Sequence, residues 1–303
     1  MAEPFAVLLM AYGGPDVLAD VEPYLLDVRN GRAITPEFLV EVRGRYERIG
    51  GRSPILDLTR AQAAGLARAL GDGASVYVGM RHWRPFIGDT VERMVADGQR
   101  RAVAIVMAPH FSTMSIGAYK KKLDAAVAGR MEVALVERWG DHPAFLDAVA
   151  TRLEETLAQF PDRTQVAVIF SAHSLPQRIL AAGDAYPTEL RASAAAVADR
   201  LGLASWRFAY QSAGAVAEPW LGPDVEDVIR ELAAGGVRAV ALCPIGFVCD
   251  HVEILYDIDV EYQAVARKLR VRLERTASLN DAPGLIEALR GITRDTARAK
   301  GWL

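Results

Sequence analysis

The sequence predicts an α/β protein of two doubly wound domains whose parallel sheets face a central cleft. Three observations carry that prediction. Short apolar runs such as FAVLLMAY (5–12), AVAIVM (102–107), QVAVIF (165–170) and AVALC (239–243) alternate with helically patterned segments, and a continuous apolar run of that length reads as a strand buried on both faces of a parallel sheet. At 303 residues and 51% hydrophobic, the chain has about twice the usual domain length and enough apolar material for two cores. Tyr12, His82, His110, Ser112, His173 and Glu253 all follow the ends of apolar runs, where open α/β sheets hold their ligands.

Residues 5–12 form the first strand, closed by the turn Gly13-Gly14-Pro15, with Asp16 or Asp20 as a cap for the next helix. Helical spacing then covers 20–32, broken by Gly31, and 36–48, opened by Pro36. The glycine-rich loop 49–55 leads through Ser53-Pro54 into a helix over 57–71. Strands over 75–83 and 102–113 each precede a helix, the second holding Tyr119 and Lys120 to Lys122. A strand over 132–139 and the turn GDHP (140–143) set a domain boundary near 142, giving domains 1–142 and 143–303. The second half restarts with QVAVIFSAHSLP (165–176). Helix 187–201, strand 205–211, helix 223–235 and strand 237–243 come next, then an acidic helix, strand 268–274 and a final helix over 282–299.

A net charge of −3 with Lys and Arg spread along the chain leaves no electrostatic footprint for nucleic acid. Glu3 stands where a signal peptide would be basic, and no run reaches the roughly 18 apolar residues of a membrane span, so a cytoplasmic protein without a transmembrane segment is expected. Cys243 and Cys249 are too few for a four-cysteine iron–sulfur cluster and are expected to be reduced. No GxSxG elbow, GxGxxG turn or P-loop is present.

The stretch GFVCDHVEILYDIDVEY (246–262) directly follows an apolar run, AVALCPIGFV (239–248). On a regular α-helix Glu253, Asp257 and Glu261 make a row of carboxylates about 12 Å long. Like charges so spaced weaken their helix unless a cation or basic group opposes them. Two readings stand: a solvated acidic face, or a site for a hard divalent cation that a nearby imidazole widens to iron, zinc or cobalt. His173 in SAHSLP suits either a structural role or metal and proton handling. For His82 and His110 the structural role is the better reading. Arg29, Arg32 and Arg45 beside Tyr12, Tyr24 and Tyr46 are either an exposed basic face or partners for the carboxylates of a flat ligand.

Taken together, LLMAYGGPD (8–16), YERIGGRSPI (46–55), GMRHWRPFI (79–87), APHFSTMSIGAY (108–119), FSAHSLP (170–176), QSAGAVAEPWLGPD (211–224) and CPIGFVCDHVEILYDID (243–259) resemble the ferrochelatases from end to end of the chain. The resemblance implies two Rossmann-like, chelatase-type domains, the last helix packing back towards the first, and insertion of Fe²⁺, as substrate, into a porphyrin. It assigns His173 and Glu253 to the metal and its protons, and Asp257 and Glu261 to a second divalent cation on a partly π-helical row. Porphyrin contacts fall to Tyr12, Arg29, Arg45, Tyr46, Ser53, Tyr119 and Trp220. No permanently bound cofactor is implied. The tyrosine of MAYGGP is similar to the Bacillus-type members that use coproporphyrin III, although the second glycine is that of the protoporphyrin IX branch. Coproporphyrin III is therefore the expected substrate and protoporphyrin IX the alternative. A monomer in transient contact with neighbouring haem-pathway enzymes is expected. The rival readings are a cobalt- or nickel-inserting chelatase, expected in a much shorter chain, and a non-enzymatic tetrapyrrole carrier.

Overall fold

A computed structural model of the chain describes residues 5–71, 74–214 and 218–303. Glu3 and residues 215–217 of the resemblance lie outside the described residues. The first half runs β1 (Ala6–Ala11), α1 (Val21–Val28), α2 (Pro36–Arg48), α3 (Ile55–Leu70), β2 (Val76–Met80), α4 (Ile87–Ala96), β3 (Arg101–Val106), α5 (Ile116–Val127) and β4 (Glu132–Val136). The helix α6 (Pro143–Leu157) crosses to β5 (Ala167–His173), α7 (Arg178–Ala181), α8 (Tyr186–Arg200), β6 (Arg207–Gln211), α9 (Val225–Ala234) and β7 (Ala239–Cys243). After β7 come α10 (Val252–Leu255), a π-helical turn (Asp257–Tyr262), α11 (Gln263–Lys268), β8 (Arg272–Arg275) and α12 (Pro283–Ala299).

Both sheets are parallel and share one topology, β2-β1-β3-β4 and β6-β5-β7-β8. All six residues of β1 are buried, as its unbroken apolar run requires of a strand covered by helices on both faces. Each such Leu or Val contributes about 1.5–3 kcal/mol on leaving water. One apolar core runs through both halves. It joins Val7, Leu9 and Leu66 of the first to Phe170 and Leu190 of the second, and to Leu285, Leu289 and Ile292 of α12. The last helix lies against both α3 and α6.

Local chemistry sets the boundaries. Thr35 caps α2 through Oγ1, which accepts from Phe38 N at 3.3 Å, and Pro36 fills the first helical position. Asp224 caps α9, accepting from Glu226 N at 2.7 Å. Neither Asp16 nor Asp20 caps α1 as expected: Asp20 accepts from Val17 N at 3.2 Å, and Asp16 from the Trp83 indole at 3.0 Å.

One expectation is met and one corrected around the acidic stretch. β7 ends at Cys243, as expected, and Pro244 and Gly246 open a loop over 244–251 that separates strand from helix. The continuous α-helix read from the carboxylate spacing is four residues of α-helix followed by a π turn, in which Glu261 N donates to Tyr256 O at 3.1 Å. That i to i+5 bond marks a π-bulge, the form implied by the resemblance and a frequent sign of a functional site.

Candidate active site

The chemistry gathers where β5 ends. Tight backbone packing brings the loop after β7 there: Gly246 N donates to Ser171 O at 3.2 Å, and a Cβ on Gly246 would fall 2.5 Å from the Ala172 Cβ. Only a glycine lets that loop lie so close to the strand, and α10 follows it with Glu253 in its first turn. His173 Nε2 stands 3.3 Å from Glu253 Oε1, with both side chains about one-third exposed to the cleft.

The His173 ring has a defined tautomer. Nδ1 meets the Ser174 carbonyl oxygen, which can only accept, so Nδ1 carries the proton and Nε2 is the atom turned to Glu253. Tyr186 Oη donates to the His173 carbonyl at 3.1 Å. Burial pulls the imidazole down, but the Glu253 carboxylate and the Ser174 carbonyl outweigh it and lift its pKa above the ordinary histidine value. Burial opposes the Glu253 charge in turn, and His173 outweighs that, lowering the carboxyl below its usual range. His251 Nε2 lies 3.6 Å from Glu253 Oε2, on the far side of the carboxylate.

The acidic residues part company in space. Asp257 is buried, accepts from Ser212 Oγ, and has Arg45 Nη1 3.8 Å away. Burial, reinforced by Glu253 and Glu261, raises its pKa to about 7 despite Ser212 and Arg45. Glu261 is exposed. Asp250 and Asp259 turn away from the cleft to share Arg275, at 3.3 and 2.7 Å, and Asp250 also accepts from Ser278 and Asn280. Among the described residues, no three or more His, Cys, Asp or Glu side chains converge into a metal-holding group. His173 and Glu253 form an open two-residue pair, able to hand an ion on where a closed shell would retain it.

The first half supplies aromatic and basic groups. Tyr12 leaves β1 with its ring 4.6 Å from that of His82, and the Arg81 guanidinium lies 5.6 Å from the Tyr12 ring and 5.3 Å from the ring of Tyr119. Glu253 acts electrostatically on Tyr12, Tyr24 and Tyr46, whose pKa values burial raises first of all. Val252 packs on the Tyr24 and Tyr46 cluster, which ties the α1–α2 helices to α10.

Several residues expected at the ligand have other neighbours. Tyr46 is only 2% exposed and meets Tyr24 edge-on, 6.5 Å between centroids. Ser53 is buried against Gly14 and accepts from Ile55 N at 3.4 Å, starting α3. Arg45 donates to Glu41 at 2.8 Å and lies over Tyr256 at 5.4 Å. Arg29 is half-exposed and lies over Phe38 at 5.7 Å. Tyr119 is buried on α5, and Trp220 is half-buried over Gly214. His82 donates through Nδ1 to Asp27 at 2.7 Å. His110 reaches Ser193 Oγ at 2.9 Å, and Ser193 donates on to Gly140 O, so both histidines brace loops as expected. Sequence reasoning gave no role to Arg81, Tyr186 or Gln211; the local signals for Gln211 are its place as a polar residue closing the strand RFAYQ and as the first residue of QSAGAVAEPWLGPD.

Two parallel α/β units, with an imidazole at the end of β5 and a carboxylate on α10 facing it, are a chelatase-type arrangement in fold. The fold matches the sirohydrochlorin chelatase SirB from Bacillus subtilis with Fe³⁺ at a TM-score of 0.66 and 11% identity, over 99% of this chain and 98% of that one. SirB from the subspecies spizizenii, in complex with cobalt, matches at 0.61 and 10% identity over 98% and 96%. Chain length therefore does not separate the two groups as expected; sequence does. The ferrochelatase family model matches residues 4–297, and the chain belongs to that family. A ferrochelatase of Herpetosiphon aurantiacus is 46% identical over 96% of this chain and 99% of its own. A coproporphyrin III ferrochelatase of Anoxybacillus flavithermus is 40% identical over 97% of each. This protein is an enzyme of haem biosynthesis that inserts iron into a porphyrin. No helix among the described residues is long and apolar enough to cross a membrane.

Proposed function

We propose that the porphyrin is coproporphyrin III and that His173 and Glu253 handle the incoming Fe²⁺ and the two departing pyrrole protons. The observation that carries the substrate reading is Tyr12, the tyrosine of MAYGG at the exit of β1. Relatives named as coproporphyrin III ferrochelatases, from Anoxybacillus flavithermus and Bacillus pumilus, support it at 40% identity over nearly the whole chain. A substrate with four carboxylates needs basic partners at the ring edge, and Arg29 and Arg32 on the connection from α1 to α2 are suited to that. Arg45, turned to Asp257 and Glu41, serves the acidic side instead.

In the mechanism we infer, contacts to the macrocycle edge hold the ring bent, so that its nitrogen lone pairs tilt towards the metal. Fe²⁺ enters and two N–H protons leave. With Nδ1 turned to the Ser174 carbonyl, Nε2 of His173 is the atom on the cleft side beside Glu253; once it has given up its own proton it accepts the two pyrrole protons in turn, and Glu253 holds the metal or passes each proton outward to water. Asp257, now turned to Ser212 and Arg45, and the exposed Glu261 farther along the π turn are the residues that would hold a second divalent cation.

Anaerobic iron insertion into coproporphyrin III and protoporphyrin IX, measured side by side, tests the substrate. The expected kcat/KM favours coproporphyrin III by about tenfold or more, or at least ~1.4 kcal/mol in the barrier. A preference for protoporphyrin IX overturns it.

A further inference from the structure

We propose that Gln211 is a positioning residue that sets the Glu253 side chain against His173. It is the last residue of β6, lies opposite His173 in the strand register, and is wholly buried. Its side chain makes two directed hydrogen bonds. Nε2 donates to the Glu253 backbone carbonyl at 2.8 Å, and Oε1 accepts from Ser171 Oγ at 2.9 Å. The Glu253 carbonyl can only accept, so the amide has one workable orientation, and the Ser171 hydroxyl holds it there.

Gln211 also touches the other member of the pair. Its backbone carbonyl accepts from Ser174 N at 2.7 Å, and the Ser174 carbonyl in turn takes the Nδ1 proton of His173. One buried residue thus fixes the backbone beside both groups. The need is local. α10 has four residues, with a loop before it and a π turn after it, and a helix that short does not hold its own geometry. The amide supplies the anchor that regular helix would otherwise give. Outer contacts that orient metal-handling side chains typically matter by about 10–100-fold in affinity or rate.

This inference rests on the reading that His173 and Glu253 handle the metal, and the experiment separates the two. Gln211→Met keeps length and removes both bonds; Gln211→Glu keeps an acceptor for Ser171 but turns a carboxylate oxygen towards a carbonyl. For each, steady-state iron insertion, the KM for porphyrin and the melting temperature are measured. Single-turnover insertion is compared in Glu253→Ala and in Gln211→Met combined with Glu253→Ala. The expected result is a ~10–100-fold fall in kcat with the porphyrin KM nearly unchanged, and no further fall when Gln211→Met is added to Glu253→Ala. An unchanged kcat, a loss confined to KM, or a loss that persists undiminished without Glu253 overturns the proposal. Should Gln211→Met fail to fold, Ser171→Ala decides: a several-fold fall in kcat at constant KM supports the anchor, and wild-type kcat overturns it. Full activity in His173→Ala and Glu253→Ala would instead refute the underlying reading; losses there with wild-type Gln211→Met refute the anchor alone.

Discussion

His110 follows the central strand β3 of the first sheet and His173 closes the central strand β5 of the second, in the similar contexts APHFST and SAHSLP. The fold then treats them in opposite ways. His110 is 2% exposed and, among the described residues, has Ser193 and no carboxylate as hydrogen-bond partner; burial drives its pKa down to about 3, so the ring is neutral and serves as a strut to Ser193. His173 opens to the cleft beside Glu253 and is shifted the other way. What separates the two imidazoles is the charge across from each and its access to water, more than its place on the strand.

Exchanging the two roles by mutation gives the sharpest contrast. His173→Ala is expected to lower iron insertion by about 10²–10⁴-fold with little change in melting temperature. His110→Ala should instead destabilise the fold, leaving kcat near wild type in the molecules that remain folded. Steady-state kinetics beside thermal melts checks both, and a His110 variant as inactive as the His173 variant at full stability would erase the contrast.

Acid should reveal His110 next. Its folded value lies near 3, below the roughly 6.5 of an unfolded histidine. The unfolded chain therefore binds more protons between those values, and stability is complete above about pH 6.5 and falls as pH drops towards 3. By pH 5 the loss from this group is about 2 kcal/mol. Denaturant midpoints across that range check the slope, which His110→Asn should reduce.

A smaller effect lies at the seam between the halves. Asp184 Oδ2 accepts from Thr113 N at 2.8 Å and from Ser112 Oγ at 3.1 Å, both on the loop that carries His110. Asp184→Ala is expected to cost on the order of 1 kcal/mol, read in urea melts. The smallest change is expected from Tyr46→Phe: its ring is core, so the porphyrin KM should hold while stability falls by under about 1 kcal/mol. A raised KM would return Tyr46 to the ligand.

Much of the fold is legible in the sequence because buried parallel strands write themselves as unbroken apolar runs; AVLLMA and AVALC are β1 and β7. His173 and Glu253 are legible through their motifs. The features that escape depend on contacts distant in sequence. Nothing local shows that Arg45 turns to Asp257, that Arg275 draws Asp250 and Asp259 away from the row, or that Gln211 reaches α10. The π turn is likewise hidden from a spacing argument, since carboxylates four apart read as ordinary α-helix.

The placement of α12 bears on how the molecule is made. Its Leu285, Leu289 and Ile292 share a core with Val7, Leu9 and Leu66 near the other end of the chain, so the first sheet cannot close one of its faces until those late residues leave the ribosome. A polypeptide arrested before residue 283 would carry an unsealed apolar surface, and the amino-terminal half, although synthesised first, would be among the last parts to reach its final packing.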